Sequence, residues 1–269
     1  MLPDPLLSDP LLPDPLLSDS ELDRYQRHIV LKDVGGQGQT RLKAGSVAVI
    51  GAGGLGSPCL LYLAAAGIGR LTLIDDDRVS LSNLQRQTLF ATADIGRPKA
   101  EAAAERLAAL NPHVTLNPVC QRLTAENAAT LLAGHDILAD GCDNFATRAL
   151  VNRTAVALGL PLVSAAIGPF EGQLGVFAGH LADQPCWACF AGAPADIPGT
   201  SCADIGVLGA VAGLVGAAQA LEVLRLVTGF GEPQTGWLWL YEGLSLASRR
   251  IRIPKDPACP VCCRPVGDI

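Results

Sequence analysis

A short apolar run that ends in a glycine-rich turn constrains this chain more than any other stretch. Ser46-Val47-Ala48-Val49-Ile50 is apolar after its first residue, as a strand buried on both faces must be. Gly51-Ala52-Gly53-Gly54-Leu55-Gly56 follows at once, and Cys59 to Ala66 then has helical composition. Gly51, Gly53 and Gly56 fit the G-x-G-x-x-G spacing. Glycines there permit a tight turn and let backbone N–H groups approach phosphate at a helix N-terminus. Alone, the spacing describes only a turn that allows close packing. Between a buried strand and a helix it predicts a nucleotide-binding unit.

The rest of the chain repeats the strand–helix alternation. Strands are expected at Leu71–Ile74, Val114–Val119, Ile137–Asp140 and Leu162–Ala165, and helices at Pro98–Leu110, Glu126–Ala133 and Phe145–Leu158. This order implies an α/β fold, a Rossmann-like and mostly parallel sheet with helices on both faces. After Phe170 the strands become Gly-punctuated, Gly172–Phe177 and Gly236–Tyr241, and are expected to extend the sheet antiparallel. Upstream, Ser20 is expected to cap a helix over Glu21–His28, Gly35 to Gly38 to break it, and a short helix to lead to Lys43. LPDPLLSD occurs twice before Ser20. Pro and Asp at that density build neither helix nor central strand, so residues 1–19 are expected to be a disordered tail. Residues 20–269 are expected to form one domain with a peripheral zinc module.

Composition removes several functions. The net charge of −6 argues against nucleic acid as the main partner, though phosphate needs only a few local cations. The N-terminus is acidic and Pro-rich and lacks the pattern of a signal peptide, so a reducing cytoplasm is expected. Ile205 to Leu221 is uncharged, but it is rich in Gly and Ala and runs on into Glu222 and Arg225. It is shorter than the roughly 20 residues of a membrane span. A buried core or dimer-interface helix is the expected reading, with no membrane partner.

Two C-x-x-C pairs, Cys186/Cys189 and Cys259/Cys262, have the layout of a four-thiolate zinc site. Four thiolates close the coordination shell, so the site is expected to be structural. Cys59, Cys120 and Cys142 read as buried small residues, and Cys263 as a bystander able to substitute as a ligand.

Asp75 ends the strand after the glycine loop, where an acid bonds ribose hydroxyls. To that point NAD and ATP are equally served. Leu81 to Gln87 separates them: it is polar, carries Arg86, and falls where the second half of a dinucleotide would lie. Lys99 adds a second cation, which suits a triphosphate. Asp76 and Asp77 read as solvated loop charges. Asp143, just past the strand ending at Asp140, is placed to hold magnesium; alternatively Asp143 or Asn144 caps the following helix. An NAD-dependent oxidoreductase is the competing reading, but His28, His113, His135 and His180 stand in no catalytic setting.

Lined up, these segments resemble the ThiF/MoeB/HesA family of adenylyltransferases, relatives of ubiquitin-activating enzymes, and within it the MoeB type. The matching stretches are Arg24–Ile29, the Gly51 loop, Leu71–Arg86, Gly96–Lys99, Cys142–Asn144, Glu171–Gln173, both cysteine pairs and Gln219–Glu222. The resemblance implies ATP-dependent adenylation of the terminal Gly carboxylate of a small ubiquitin-like sulfur carrier ending in Gly-Gly, in molybdopterin, thiamine or related biosynthesis. It implies that Asp75 binds ribose, that Asn83, Arg86 and Lys99 contact phosphates, and that Asp143 organises magnesium. It also implies a homodimer in which Arg27 reaches the ATP site of the second subunit. Cys202 corresponds to a thiol that some members use covalently; a small loop residue is the alternative. The chain ends at Ile269 without a sulfurtransferase domain, so a separate sulfur donor, a cysteine desulfurase or sulfurtransferase, is expected.

Overall fold

The computed structural model describes residues 16–192 and 206–263. Within them eight strands form one sheet in the order β3-β2-β1-β4-β5-β6-β7-β8. They are β1 (Ser46–Ile50), β2 (Arg70–Ile74), β3 (Thr115–Val119), β4 (Ile137–Asp140), β5 (Leu162–Ile167), β6 (Glu171–Phe177), β7 (Trp237–Glu242) and β8 (Ala247–Arg252). β1 to β5 are parallel, and β6, β7 and β8 continue the sheet antiparallel. The order reverses between β1 and β4, whose register sets Ile50 beside Asp140. A crevice opens outside the carboxyl ends of the strands at such a reversal.

The helices are α1 (Asp19–Arg24), α2 (Gln26–Ile29), α3 (Gly35–Ala44), α4 (Gly56–Ala66), α5 (Lys99–Leu110), α6 (Ala128–Leu132), α7 (Phe145–Leu158), α8 (Trp187–Ala191) and α9 (Gly209–Thr228). Successive strand residues face opposite ways, and both faces are buried. Val47, Val49, Leu71 and Leu73 pack with Leu60, Leu63, Leu107, Val215 and Val223 of α4, α5 and α9. Ala48, Ile50 and Leu138 pack with Leu132, Val151 and Ala155 of α6 and α7, and with Trp187 of α8. Among the described residues α9 alone is long and apolar enough to cross a membrane, and half of its apolar window is packed inside the fold. A Cβ at Gly216 would sit 2.4 Å from the Leu55 carbonyl oxygen, so glycine is what lets α9 lie against the start of α4.

Some expectations need correction. Ser18, not Ser20, caps α1, through a capping box with Glu21. Lys43 donates to the same Glu21 carboxylate at 2.8 Å, which anchors α1 to α3. Gly35 to Gly38 lie inside α3 instead of breaking a helix. Gly35 takes φ +64 at its start, and buried Gln39 ties the helix down by donating to the Ala66 carbonyl at 2.8 Å. Tertiary contacts thereby outweigh the poor propensity of glycine. Cys59 is buried as expected, Cys142 is half-buried, and Cys120 is exposed. β8 has no apolar alternation to announce it: all six of its residues are exposed.

Candidate active site at the strand-order reversal

The glycine loop leaves β1 at Gly51, which has φ +89. A Cβ at Gly56 would stand 1.8 Å from the Gly51 carbonyl oxygen, so only glycine closes this turn. Asp75 is tied into the loop. Its Oδ2 accepts from the Ala52 N–H at 2.7 Å, and its Oδ1 from the Asp77 N–H at 2.9 Å. Burial pushes the Asp75 carboxyl up, against the opposing pull of Lys99 and both N–H groups.

Lys99 opens α5 and is 3% exposed. Its Nζ donates to Asp77 Oδ2 at 2.8 Å. Asp77 is thus an ion-pair partner at the site and not the free loop charge expected of it; Asp76 is exposed as expected. A buried ammonium held by a mostly exposed carboxylate is a cation that an incoming phosphate can take over. The Arg86 guanidinium donates to the Ser82 carbonyl at 3.2 Å and to Asn83 Oδ1 at 3.0 Å. Asn83 thus orients Arg86.

The segment after β4 is clamped from beneath. Arg148 of α7 is buried, and its Nη1 meets Asp140 Oδ2 at 3.4 Å and donates to Ser164 Oγ at 3.1 Å. Its Nη2 donates to the Cys142 carbonyl and, at 2.7 Å, to that of Ala165. Ser164 Oγ donates to Asp140 Oδ2 at 2.8 Å. The Gln219 amide donates to the carbonyls of Asp140 at 2.9 Å and Val163 at 3.0 Å, which gives the Gln219–Glu222 motif a structural meaning. Asn144 caps α7 by accepting from the Thr147 N–H at 2.8 Å. Of the two readings of this turn, the cap falls to Asn144, and Asp143 lies exposed on the cleft wall.

One cleft of about 320 Å³ gathers Gly51, Gly53, Gly54, Asp75, Arg86, Lys99 and Asp143. Arg148, Gln87, Trp187 and Phe190 also line it, and sequence reasoning missed them in this role. Gln87 is 4% exposed and its Oε1 is buried without a partner. Arg148 left no local signal, since its partners on β4 and β5 are distant in sequence. Arg27 is exposed on α2 and does not line the cleft of its own chain. Cys202 lies outside the described residues. No histidine lines the cleft among the described residues; His135 is spent on Thr72 and Leu132, and His28 on Gln39.

The two cysteine pairs meet. Sγ–Sγ distances are 3.9 Å for Cys186–Cys189, 3.6 Å for Cys186–Cys259 and 3.5 Å for Cys189–Cys262. A tetrahedral zinc with bonds of about 2.3 Å requires edges of roughly 3.8 Å, so the donor set fits that ion. Cys263 stands 4.0 Å from Cys262 and donates to the Asp256 carbonyl at 3.2 Å, outside the quartet. Asn152 of α7 supports the cluster, donating to Cys186 Sγ at 3.6 Å and accepting from the Trp187 N–H at 2.9 Å.

The sequence signature of the ThiF family matches residues 25–261. The chain belongs to this family. It is 48% identical to the sulfur carrier protein adenylyltransferase of Thermus thermophilus over 90% of its own length and 91% of that protein. It is 39% identical to the molybdopterin-synthase adenylyltransferase of Salmonella typhimurium, over 90% of this chain and 96% of the relative. Its fold superposes on a crystal structure of Escherichia coli MccB with ATP at a TM-score of 0.78 and 22% identity, covering 90% of this chain and 75% of that one. The ThiF membership was legible in the order of the motifs.

Proposed function

We propose that this ThiF-family chain uses ATP to adenylate the C-terminal glycine carboxylate of a small ubiquitin-like sulfur carrier. The observation that carries this is the single cleft in which a glycine loop, a ribose-height carboxylate, two cations and Asp143 converge. A carboxylate oxygen of the carrier attacks the α-phosphorus of ATP. The bond from that phosphorus to the bridging oxygen breaks, and pyrophosphate leaves with the electron pair. Arg86 and Lys99 face the charge that grows on the phosphates, and fixed cations stabilise it without reorganising. The backbone of Gly53 and Gly54 lies beside them, and Asp75 receives the ribose.

Asp143, an exposed carboxylate on the cleft wall, fits a hard cation and would hold magnesium, which when bound neutralises phosphate charge. Cys186, Cys189, Cys259 and Cys262 would hold zinc as a closed structural ion. The carrier's tail has a route to the cleft. A groove of about 660 Å³ beside β6 to β8 shares Ala166, Ile167 and Gln173 with the nucleotide cleft. In this reading the active form is a cytoplasmic homodimer, with Arg27 reaching the partner's ATP. Sulfur supplied by a cysteine desulfurase or sulfurtransferase then attacks the acyl carbon of the acyl-adenylate, and AMP leaves with the electron pair of the broken carbon–oxygen bond. Residues 1–15 of the repeat segment and Cys202 lie outside the described residues; in this reading the repeat is no part of the adenylating domain, and Cys202 is the thiol that a covalent step would use.

The test is isotope exchange. Purified protein with ATP, magnesium and a Gly-Gly-terminated carrier should move labelled pyrophosphate into ATP. Absence of exchange with every such carrier of the host cell would sink the proposal.

A further inference from the structure

The thiolate cluster and the nucleotide cleft share a wall. Cys186 is the N-cap of α8, and Cys189 lies within it. Trp187, Phe190 and Ala191 of the same segment line the cleft, together with Leu123 and with Asn144 and Phe145 at the head of α7. Trp187 is 4% exposed and packs in one cluster with Ile50, Ile74 and Leu123. Ile50 and Ile74 are the strand ends from which the glycine loop and Asp75 depart. The Trp187 ring lies 6.4 Å from that of Phe145.

α8 is only five residues long. A helix that short has too few internal hydrogen bonds to persist alone, so external attachments set its place. Two attachments are the thiols of Cys186 and Cys189, drawn toward Cys259 and Cys262 of the C-terminal segment. A third is Asn152, which bonds both Cys186 and the Trp187 backbone. Phe190 is 37% exposed and, among the described residues, belongs to none of the hydrophobic clusters. Its position therefore follows from that of Cys189, the residue before it.

We propose that the four-thiolate site positions nucleotide as well as stabilising the fold: metal on Cys186, Cys189, Cys259 and Cys262 sets Trp187 and Phe190 as the apolar wall of the cleft. A flat heteroaromatic base suits that wall, as phosphates suit Arg86 and Lys99. Trp187 and Phe190 are positioning residues, and the inference rests on the nucleotide-binding reading above.

Three measurements test it. Phe190→Ala should weaken ATP binding by roughly five- to tenfold in calorimetry, the loss of one aromatic contact. Its metal content and melting temperature should not change. Cobalt(II) in place of zinc gives a thiolate absorption band, and ATP titration should shift that band with the half-saturation found by calorimetry. Chelation followed by zinc re-addition should abolish and then restore ATP affinity. An unchanged affinity in F190A, or a cobalt band that ignores saturating ATP, overturns the inference even if the chelated chain unfolds. Failure of the unaltered protein to bind ATP would instead overturn the nucleotide reading itself.

Discussion

The carboxylate at the end of β2 and the turn after β1 are one unit, because Asp75 Oδ2 accepts from the Ala52 N–H at 2.7 Å. The group proposed to receive ribose also fixes the loop proposed to receive phosphate. Asp75→Ala should therefore cost more than one ligand contact. ATP affinity should fall by more than tenfold, with weakened binding of inorganic pyrophosphate as well, because a bonded charged group contributes about 1.5–3 kcal/mol. Pyrophosphate binding left intact would show that the loop holds its own shape.

Burial raises the Asp75 carboxyl above its ordinary value. The sign follows: the folded state binds the proton more tightly than the unfolded state. Stability from this group is fully present below the ordinary value and declines as pH rises through the raised one. The ligand acts oppositely, since ionised Asp75 is the better acceptor. ATP affinity should thus fall on acidification at a higher pH than an exposed carboxylate would require. That dependence should vanish in Asp75→Ala, as calorimetry across pH will read.

Asp143 and Asn144 are adjacent, but Asn144 caps α7 while Asp143 lines the cleft, where it is proposed to hold magnesium. Asp143→Ala should abolish pyrophosphate exchange and leave the melting temperature unmoved. Asn144→Ala removes the α7 cap, worth about 1 kcal/mol, and should lower the melting temperature by roughly 2–4 °C. The reverse pattern would transfer the cap to Asp143.

Lys99 is buried, and Arg27 is exposed and does not line its own cleft. Lys99→Ala and Arg27→Ala should each abolish exchange alone. Mixed after dissociation, the two variants should recover about a quarter of the native activity, because half of the dimers then hold one intact site. No recovery in a mixture shown to exchange subunits would remove Arg27 from the partner's site.

Arg148 satisfies Asp140 and carbonyls from both sides of the cleft floor. Arg148→Met should destabilise the fold by roughly 3–5 kcal/mol, since it strands a buried carboxylate. Denaturant melts will measure this.

Much of the fold could be read because β1, β2 and β4 are buried on both faces and so appear as short apolar runs. The glycine loop, Asp75, Arg86 and Lys99 follow such runs or open helices, and local pattern marks those places. What escaped was set by distance in sequence. Arg148 matters only because β5 comes beside β4. Trp187 and Phe190 carry no local signal of a cleft role, since only the packing of α8 brings them to that wall. β8 escaped because an exposed edge needs no apolar code, and its Arg249, Arg250 and Arg252 are the charges that keep such an edge from pairing with a stranger.

The order of the strands has a consequence during synthesis. Once β1, β2 and β3 are paired, every later strand adds to the same growing side, in the order in which it is made. The sheet can therefore assemble as the chain leaves the ribosome. The thiolate quartet cannot, since Cys259 and Cys262 emerge after β8. A nascent chain holds the glycine loop and both cations well before α8 is pinned, so the wall beside the nucleotide is the last part of the cleft to be finished.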